Sequence, residues 1–438
     1  MSDNNILEVL FVSDTNDNQL TCSVWDYRTG TNLMNYKGGG GGASLHSLNL
    51  LRSEYVMAAN LTKPLLHVWP INNQEQMTAI RFVVPGAVTA LALSPDGCYI
   101  VAGIQETIYI WQVSTGRMMT SLGKHYQTVT CLKFTDDGSH FVSAGKDGAV
   151  LVWNLTQVLC RNIDQRSEPV YTFNDHGLPV TDVHIGAGGI RSYMFTVSLD
   201  RSCKIYDLSS GTLLLSVVFA EGLQSVISNA LETMVFVGTN VGNIFQFHIK
   251  DIPRVKEYHV EEQPKSFAGH TKPSCVNCLA LSLDGQTLVS GGSDNQVLVW
   301  NIPSRQLVKH MQFKGPITNL KVRLTNPVVF HPEHKQPQVF GSNLKRMIDP
   351  VEQDEEQAIE IMVSNSYEDE LENEQNKFAI ERSDHSSSSR NVVSSASNNS
   401  ANDNSEELES LRQEVQKLRR VNKRLFEVSS KQLLRMKK

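Results

Sequence analysis

Three sets of histidine, hydroxyl and aspartate recur along this chain: His125, Ser143 and Asp147; His176, Thr196 and Asp200; His270, Ser290 and Asp294. Together these are the ingredients of a hydrolase triad, in which a carboxylate orients a base and the base activates a hydroxyl nucleophile. In each set the Asp follows the hydroxyl by four residues and precedes an aromatic (Trp153, Tyr206 or Trp300) by six, while the His lies 18 to 20 residues before the hydroxyl. A unique active site would occur once, whereas a set repeated at fixed spacing belongs to a repeated structural unit. The sets therefore read as blade networks in which the His and hydroxyl satisfy an Asp that is costly to bury unbonded.

Other reactive residues give weaker signals. Cys275 and Cys278 form a lone CxxC. No second pair exists for zinc, and in a strand the two thiols point to opposite faces, so core packing is expected. His331 and His334 bracket a proline, which forbids the regular helix that would align a His pair on a metal. The five glycines at 38–42 are not followed by Lys-Ser/Thr, so they cannot be a phosphate-binding loop and read as a flexible connection. Arg419, Arg420, Lys423 and Arg424 make a basic face near the C-terminus, expected to be solvated rather than bound to RNA. No catalytic, cofactor-binding or metal-ligating residue is assigned, and no enzyme is expected.

The element that positions the networks is itself a repeat. All five tryptophans end a short apolar strand and precede a polar turn: SVWDYRTG at Trp25, LLHVWPINN at Trp69, TIYIWQVSTG at Trp111, VLVWNLTQ at Trp153 and VLVWNIPS at Trp300. CKIYDLSSG at Tyr206 and NIFQFHIKD at Phe247 supply two more units, and the seven aromatics are spaced by 44, 42, 42, 53, 41 and 53 residues. A period of about 40 to 45 residues is that of a four-stranded propeller blade, here with two blades lengthened by insertions. The expected fold is all-β, a seven-bladed propeller. At the network Asp position the units of Trp25, Trp69, Trp111 and Phe247 carry Gln19, Lys63, Gln105 and Val241, so these four blades are expected to rely on packing. The first unit holds only three strands, ILEVLFVS (6–13) being the first of them, while GPITNLKVRL (315–324) follows the last unit. Pairing of 316–324 with 6–13 would complete blade one from both ends of the chain and remove an exposed edge.

Beyond residue 325 the blade pattern stops. Residues 326–404 are Pro- and charge-rich, then acidic (VEQDEEQAIE, YEDELENEQ), then Ser/Asn-rich, a composition expected to form a disordered linker. Residues 405–438 change character: Leu408, Leu411, Val415, Leu418, Asn422 and Leu425 alternate in steps of three and four, the pattern of a coiled-coil helix. Leu at d, with Val415 and Asn422 at a, favours a parallel dimer, and Glu407 and Glu414 would face Arg412 and Arg419 of the partner helix. The whole chain of 438 residues has 40 Lys+Arg against 46 Asp+Glu, a net charge of −6, which gives no overall field toward nucleic acid or acidic lipid. Its first residues show no signal peptide and no stretch is long enough to span a bilayer, so a soluble intracellular protein is expected. Seven scattered cysteines suit reduced thiols.

The His, Ser/Thr, Asp and Trp sets at these spacings resemble those of WD-repeat proteins. Within that class, CSVWDYRTGTNLMNYKGG, GKHYQTVTCLKFTDDGSHFVSAGKDGAVLVW, SLDRSCKIYDLSSGTLLLSVVF, FKGPITN and LRRVNKRLFEVS resemble the WD repeat-containing protein 18 family. This is the metazoan counterpart of the WD-repeat subunit of the yeast Rix/Ipi pre-ribosome complex. The resemblance covers the propeller and the terminal helix. It implies a nuclear scaffold, nucleolar and nucleoplasmic, for late maturation of the large ribosomal subunit and rRNA spacer processing. The implied partners are large helical-repeat subunits, a midasin-type AAA ATPase reached through the pre-ribosomal particle, and a second copy of the chain. The alternative is a WD-repeat adaptor of a chromatin, replication or ubiquitin-ligase complex, although no F-box-like recruitment segment is visible.

Overall fold

The architecture is that of a computed structural model, which describes residues 7–16, 20–38, 40–77, 80–159, 168–253, 255–260, 265–331, 334 and 339–347. Of the expected linker over 326–404, residues 348–404 lie outside these residues, as does the expected coiled coil over 405–438. Seven sheets follow one another around a ring, six of four strands and one of five. Blade 1 is built from the first three strands and the last strand of the ring: Ile317–Thr325 is its innermost strand, followed outward by Leu7–Asp14, Leu20–Asp26 and Thr31–Lys37. Blades 2 to 7 follow in chain order, their innermost strands being Asn49–Leu51, Ala90–Leu93, Val129–Phe134, Val180–Ile185, Leu223–Ser228 and Val276–Leu281.

The closure is antiparallel and extensive, running from Leu7 opposite Thr325 to Asp14 opposite Ile317, with one irregularity after Ser13. Within LEVLFVSD, Val9, Leu10, Phe11 and Val12 form a continuous apolar run because a blade's second strand is covered on both faces. Val9 and Phe11 pack toward blade 2, among Val56, Ala58 and Trp69. Leu10 and Val12 pack toward blade 7, among Val289, Val297 and Val299. The same logic holds around the ring, where seven apolar clusters fill the seven spaces between adjacent blades.

Polar side chains lock the closure. Asn319 Nδ2 donates to Ser44 O and Ser13 Oγ at 2.8 Å, and its Oδ1 accepts from Ser47 N at 2.9 Å, tying the last strand to blade 2. Glu8 ties blade 1 to blade 7, accepting from Ser282 Oγ, Leu283 N at 2.8 Å and Tyr27 Oη at 2.5 Å.

The two long spacings have distinct contents. After Trp153 the chain makes the short helix Leu155–Leu159, with Asn154 Oδ1 accepting from Gln157 N and with Leu155 and Val158 buried. Before Trp300, the insertion carries Glu257–His259, which adds to the outer edge of blade 5 as a parallel fifth strand.

Two expectations need correction. The glycine run is not simply a flexible connection: a Cβ on Gly42 would lie 2.5 Å from Thr15 Cα, and Ala43 N bonds to Asp14 O. Only glycine allows the two backbones to come that close. The propeller also does not end at 325. Residues 326–331 and 339–347 continue over blades 2 and 3, and Val339, Phe340 and Leu344 are buried among Tyr55, Phe82 and Trp111. Phe340 packs edge-on against both Tyr55 and Phe82. The backbone is bonded too, Gly341 N to Ser114 O at 2.9 Å and Lys345 N to Gly116 O at 2.7 Å. Pairing with blade backbone supplies what three scattered apolar residues could not order alone.

Phe340→Ala is expected to destabilise the propeller by about 3 kcal/mol, the usual cost of emptying an aromatic site in a core. A thermal melt would read this as a lower midpoint. An unchanged midpoint would mean that the segment is not a structural part of the ring.

Candidate functional site

The structure brings two of the three predicted networks together completely. In blade 4, His125 Nδ1 lies 3.1 Å from Asp147 Oδ2 and its Nε2 lies 2.9 Å from Ser143 Oγ, which accepts from Trp153 Nε1 at 3.0 Å. In blade 7 the corresponding distances are 3.0 Å from His270 to Asp294, 2.8 Å from His270 to Ser290 and 2.9 Å from Trp300 to Ser290. One proton arrangement satisfies every group: the indole N–H donates to the serine, the serine O–H to His Nε2, and Nδ1–H to the carboxylate. The serine proton is thus directed at a histidine with no space beside it for a substrate. Both histidine side chains have no exposed surface.

Blade 5 departs from that pattern at its aromatic. His176 still bridges Thr196 Oγ1 and Asp200 Oδ2, each at 2.8 Å. Tyr206, however, donates its hydroxyl to Asp175 at 3.0 Å. Ser202 adds a hydroxyl donor to Asp200, at 2.6 Å.

Three of the four blades without a network do not rely on packing alone, because an indole N–H must still find an acceptor. Trp25 donates to Ser23 Oγ at 2.8 Å, Trp69 to Lys37 O at 2.7 Å and Trp111 to Lys345 O at 2.8 Å. Phe247 has no such donor to satisfy. The acceptor for Trp111 comes from the docked segment beyond the last blade strand, a partnership that spacing could not reveal.

Electrostatics follow from burial. Burial holds His125 and His270 below the usual histidine range even though a carboxylate is attached to each. His46, His67 and His140 are lowered by burial as well, and His184 falls to about 4. Burial opposes ionisation of Asp200, but bonds from His176 and Ser202 outweigh it and hold the carboxyl well below the usual carboxylate range. A base whose folded pKa lies below its unfolded value takes up a proton more readily when unfolded. Its full contribution to stability therefore holds above about pH 6.5 and is lost as the pH falls toward 4. The Asp200 carboxylate acts in the same direction at lower pH. The melting midpoint is expected to be lower at pH 5 than at pH 7.5, as read by calorimetry; an equal or higher midpoint at pH 5 would contradict neutral imidazoles.

Among the described residues, the remaining motifs form no reactive centre. Cys278 lies in the inner strand of blade 7, while Cys275 precedes that strand, its Sγ 3.5 Å from Asn240 O. His334 pairs with Glu54 at 3.1 Å. Leu408, Leu411, Val415, Leu418, Asn422 and Leu425 lie outside the described residues.

A seven-bladed ring whose blades carry His, Ser/Thr, Asp and Trp networks defines a WD-repeat β-propeller. The WD40 family (WD domain, G-beta repeat) matches residues 80–112, 116–154, 167–207 and 261–301, each match running from the outermost strand of one blade through the inner three strands of the next, blades 3, 4, 5 and 7. The chain is 40% identical over 332 residues to WD repeat-containing protein 18 of Rattus norvegicus, covering 75% of this chain and 76% of the rat protein. To the Danio rerio protein of the same name it is 37% identical over 350 residues, 79% of this chain and 80% of that protein. It also resembles the pre-rRNA-processing protein pro-1 of Caenorhabditis elegans, with 27% identity over 325 residues, 72% of this chain and 61% of pro-1. This chain belongs to the WD repeat-containing protein 18 family.

Proposed function

We propose that the chain is a non-catalytic scaffold subunit of a nuclear complex that acts in late maturation of the large ribosomal subunit and in rRNA spacer processing. The observation that carries this reading is the family membership together with the likeness to a pre-rRNA-processing protein. The geometry is compatible with it, since the histidine and hydroxyl sets are spent on holding blades and a rigid ring presents several faces to partners. The partners are those implied by the resemblance: large helical-repeat subunits and, through the particle, a midasin-type AAA ATPase. The C-terminal heptads through Leu411, Leu418 and Leu425 would pair two copies, presenting the ring twice and raising avidity without new contacts.

Affinity purification of the full chain with mass spectrometry tests this directly. Large-subunit assembly factors should be recovered, and depletion of the protein should accumulate precursor rRNA that retains the internal spacer. Recovery of ubiquitin-ligase or replication factors with normal rRNA processing would overturn it. For the dimer, sedimentation should give twice the chain mass for the full protein and a single chain mass after truncation before Ser405. A truncated chain at dimer mass would remove the terminal helix from that role.

A further inference from the structure

The seven innermost strands surround a channel of about 710 Å³, and alternate residues of each strand point into it. Along the last strand these are Asn319, Lys321 and Arg323; across the ring, in blade 4, they include Lys133; in blade 5 they are Asp182 and His184. Arg52 and Asp136 complete the charged lining. Four basic side chains thus stand against two carboxylates, in a protein whose total charge is −6.

Burial opposes the charge of Lys133, but Cys131, Asp182 and Cys278 nearby outweigh it and raise that lysine; Lys321 has no such match. Asp182 is engaged by backbone, its Oδ1 accepting from Val183 N at 2.9 Å and its Oδ2 from Val226 N at 3.1 Å. Lys321 Nζ bonds to the neutral Asn49 Oδ1 at 3.1 Å, and among the described residues no carboxylate lies within ion-pair distance of Lys321, Lys133 or Arg323. Burial, with Arg323 and Lys133 nearby, pulls Lys321 down to about 7. An enclosed ammonium facing other cations is costly unless something negative joins it.

A metal ion is the weaker occupant of this space. His46, Cys131 and Asp182 do approach one another within 4.8 Å. But burial pushes the Cys131 thiol up to about 12, the thiol points at Asp182 Oδ1 at 3.5 Å, and the channel already carries excess positive charge.

We propose that the channel is an anion site for a small molecule carrying two or more phosphate groups, held by Lys321 and Arg323 from blade 1 and Lys133 from blade 4. Lysine acts as a point-charge phosphate binder and arginine as a bidentate one, so the pair suits phosphate oxygens arranged in three dimensions. The volume exceeds what a single phosphate needs and lies in the range of ordinary small-ligand sites. The ring itself excludes a nucleic-acid duplex from such a channel.

The test is calorimetric titration of the full chain with tripolyphosphate, with citrate at the same ionic strength as the carboxylate comparison. Saturable one-to-one binding of tripolyphosphate, and at least about tenfold weaker binding of citrate, is expected. Lys321→Met should weaken tripolyphosphate binding by about tenfold or more while leaving the melting midpoint of the unliganded protein equal or higher, since it removes an unpaired enclosed ammonium. Loss of binding in a protein of undiminished stability cannot be misfolding. No saturable binding by the native chain, unchanged binding by Lys321→Met, or citrate binding as tightly as tripolyphosphate would each overturn the assignment.

Discussion

A chain lacking residues 2–14 is expected to lose its cooperative unfolding transition and to accumulate in the insoluble fraction. A chain ending at residue 347, which keeps every described residue, should retain the transition. The reason is magnitude. Val9, Leu10, Phe11 and Val12 are each no more than 1% exposed, and each fully buried side chain of this kind contributes about 1.5–3 kcal/mol. Together they supply on the order of 6–12 kcal/mol, comparable to the whole net stability of a folded protein. Their loss also leaves the strand Ile317–Thr325 without a partner on that side and opens blades 2 and 7 to water. The point version is Glu8→Ala, which strands buried donors on Tyr27, Ser282 and Leu283. It should cost about 3 kcal/mol, against about 0.5 kcal/mol or less for an exposed acid. Denaturant titration separates these outcomes, and a soluble, cooperatively melting deletion would show that the ring does not need its first strand.

Asp294→Ala should be the most damaging single change within a blade network, at about 2–4 kcal/mol. The carboxylate side chain is 4% exposed and accepts from His270 Nδ1 and from Thr271 N at 3.0 Å. Removing it leaves the His270 Nδ1–H enclosed without an acceptor, and the chain of bonds through Ser290 to Trp300 loses its anchor. Asp200→Ala should cost less, because that side chain is 18% exposed and water can reach the donors left behind. Asp294→Asn, which keeps one acceptor, should fall between the native protein and the alanine variant. Equal effects of the Asp200 and Asp294 substitutions would show that burial does not set the cost. Catalytic roles for these residues would predict no such ranking by exposure.

What could be read from residues alone was whatever repeats. Trp25, Trp69, Trp111, Trp153 and Trp300 mark five blades because each indole ends the same strand. Tyr206 and Phe247 could be added because their neighbours kept the strand and turn grammar. Closure was legible because an unpaired apolar strand at one end matched a surplus inner strand at the other. Single events were not legible. Phe340 lies in a stretch too poor in apolar residues to look structured, and it is ordered by the cleft between blades 2 and 3. Glu257–His259 has no strand signature and is held by the outer edge of blade 5. The diversion of Trp111 to Lys345 depends on that same docked segment. Lys321 was visible as a basic residue in an inner strand, but only the ring puts it opposite Lys133.

The ring is closed by Leu7–Asp14 as an internal strand of blade 1, bonded to Ile317–Thr325 on one side and Leu20–Asp26 on the other. Hydrogen exchange measured by mass spectrometry on the full chain reads this directly. Peptides from 7–14 and 317–325 should be protected together, as strongly as the inner strands of blades 4 and 7. Rapid exchange in either peptide while those blades stay protected would contradict a ring sealed by the two ends of the propeller.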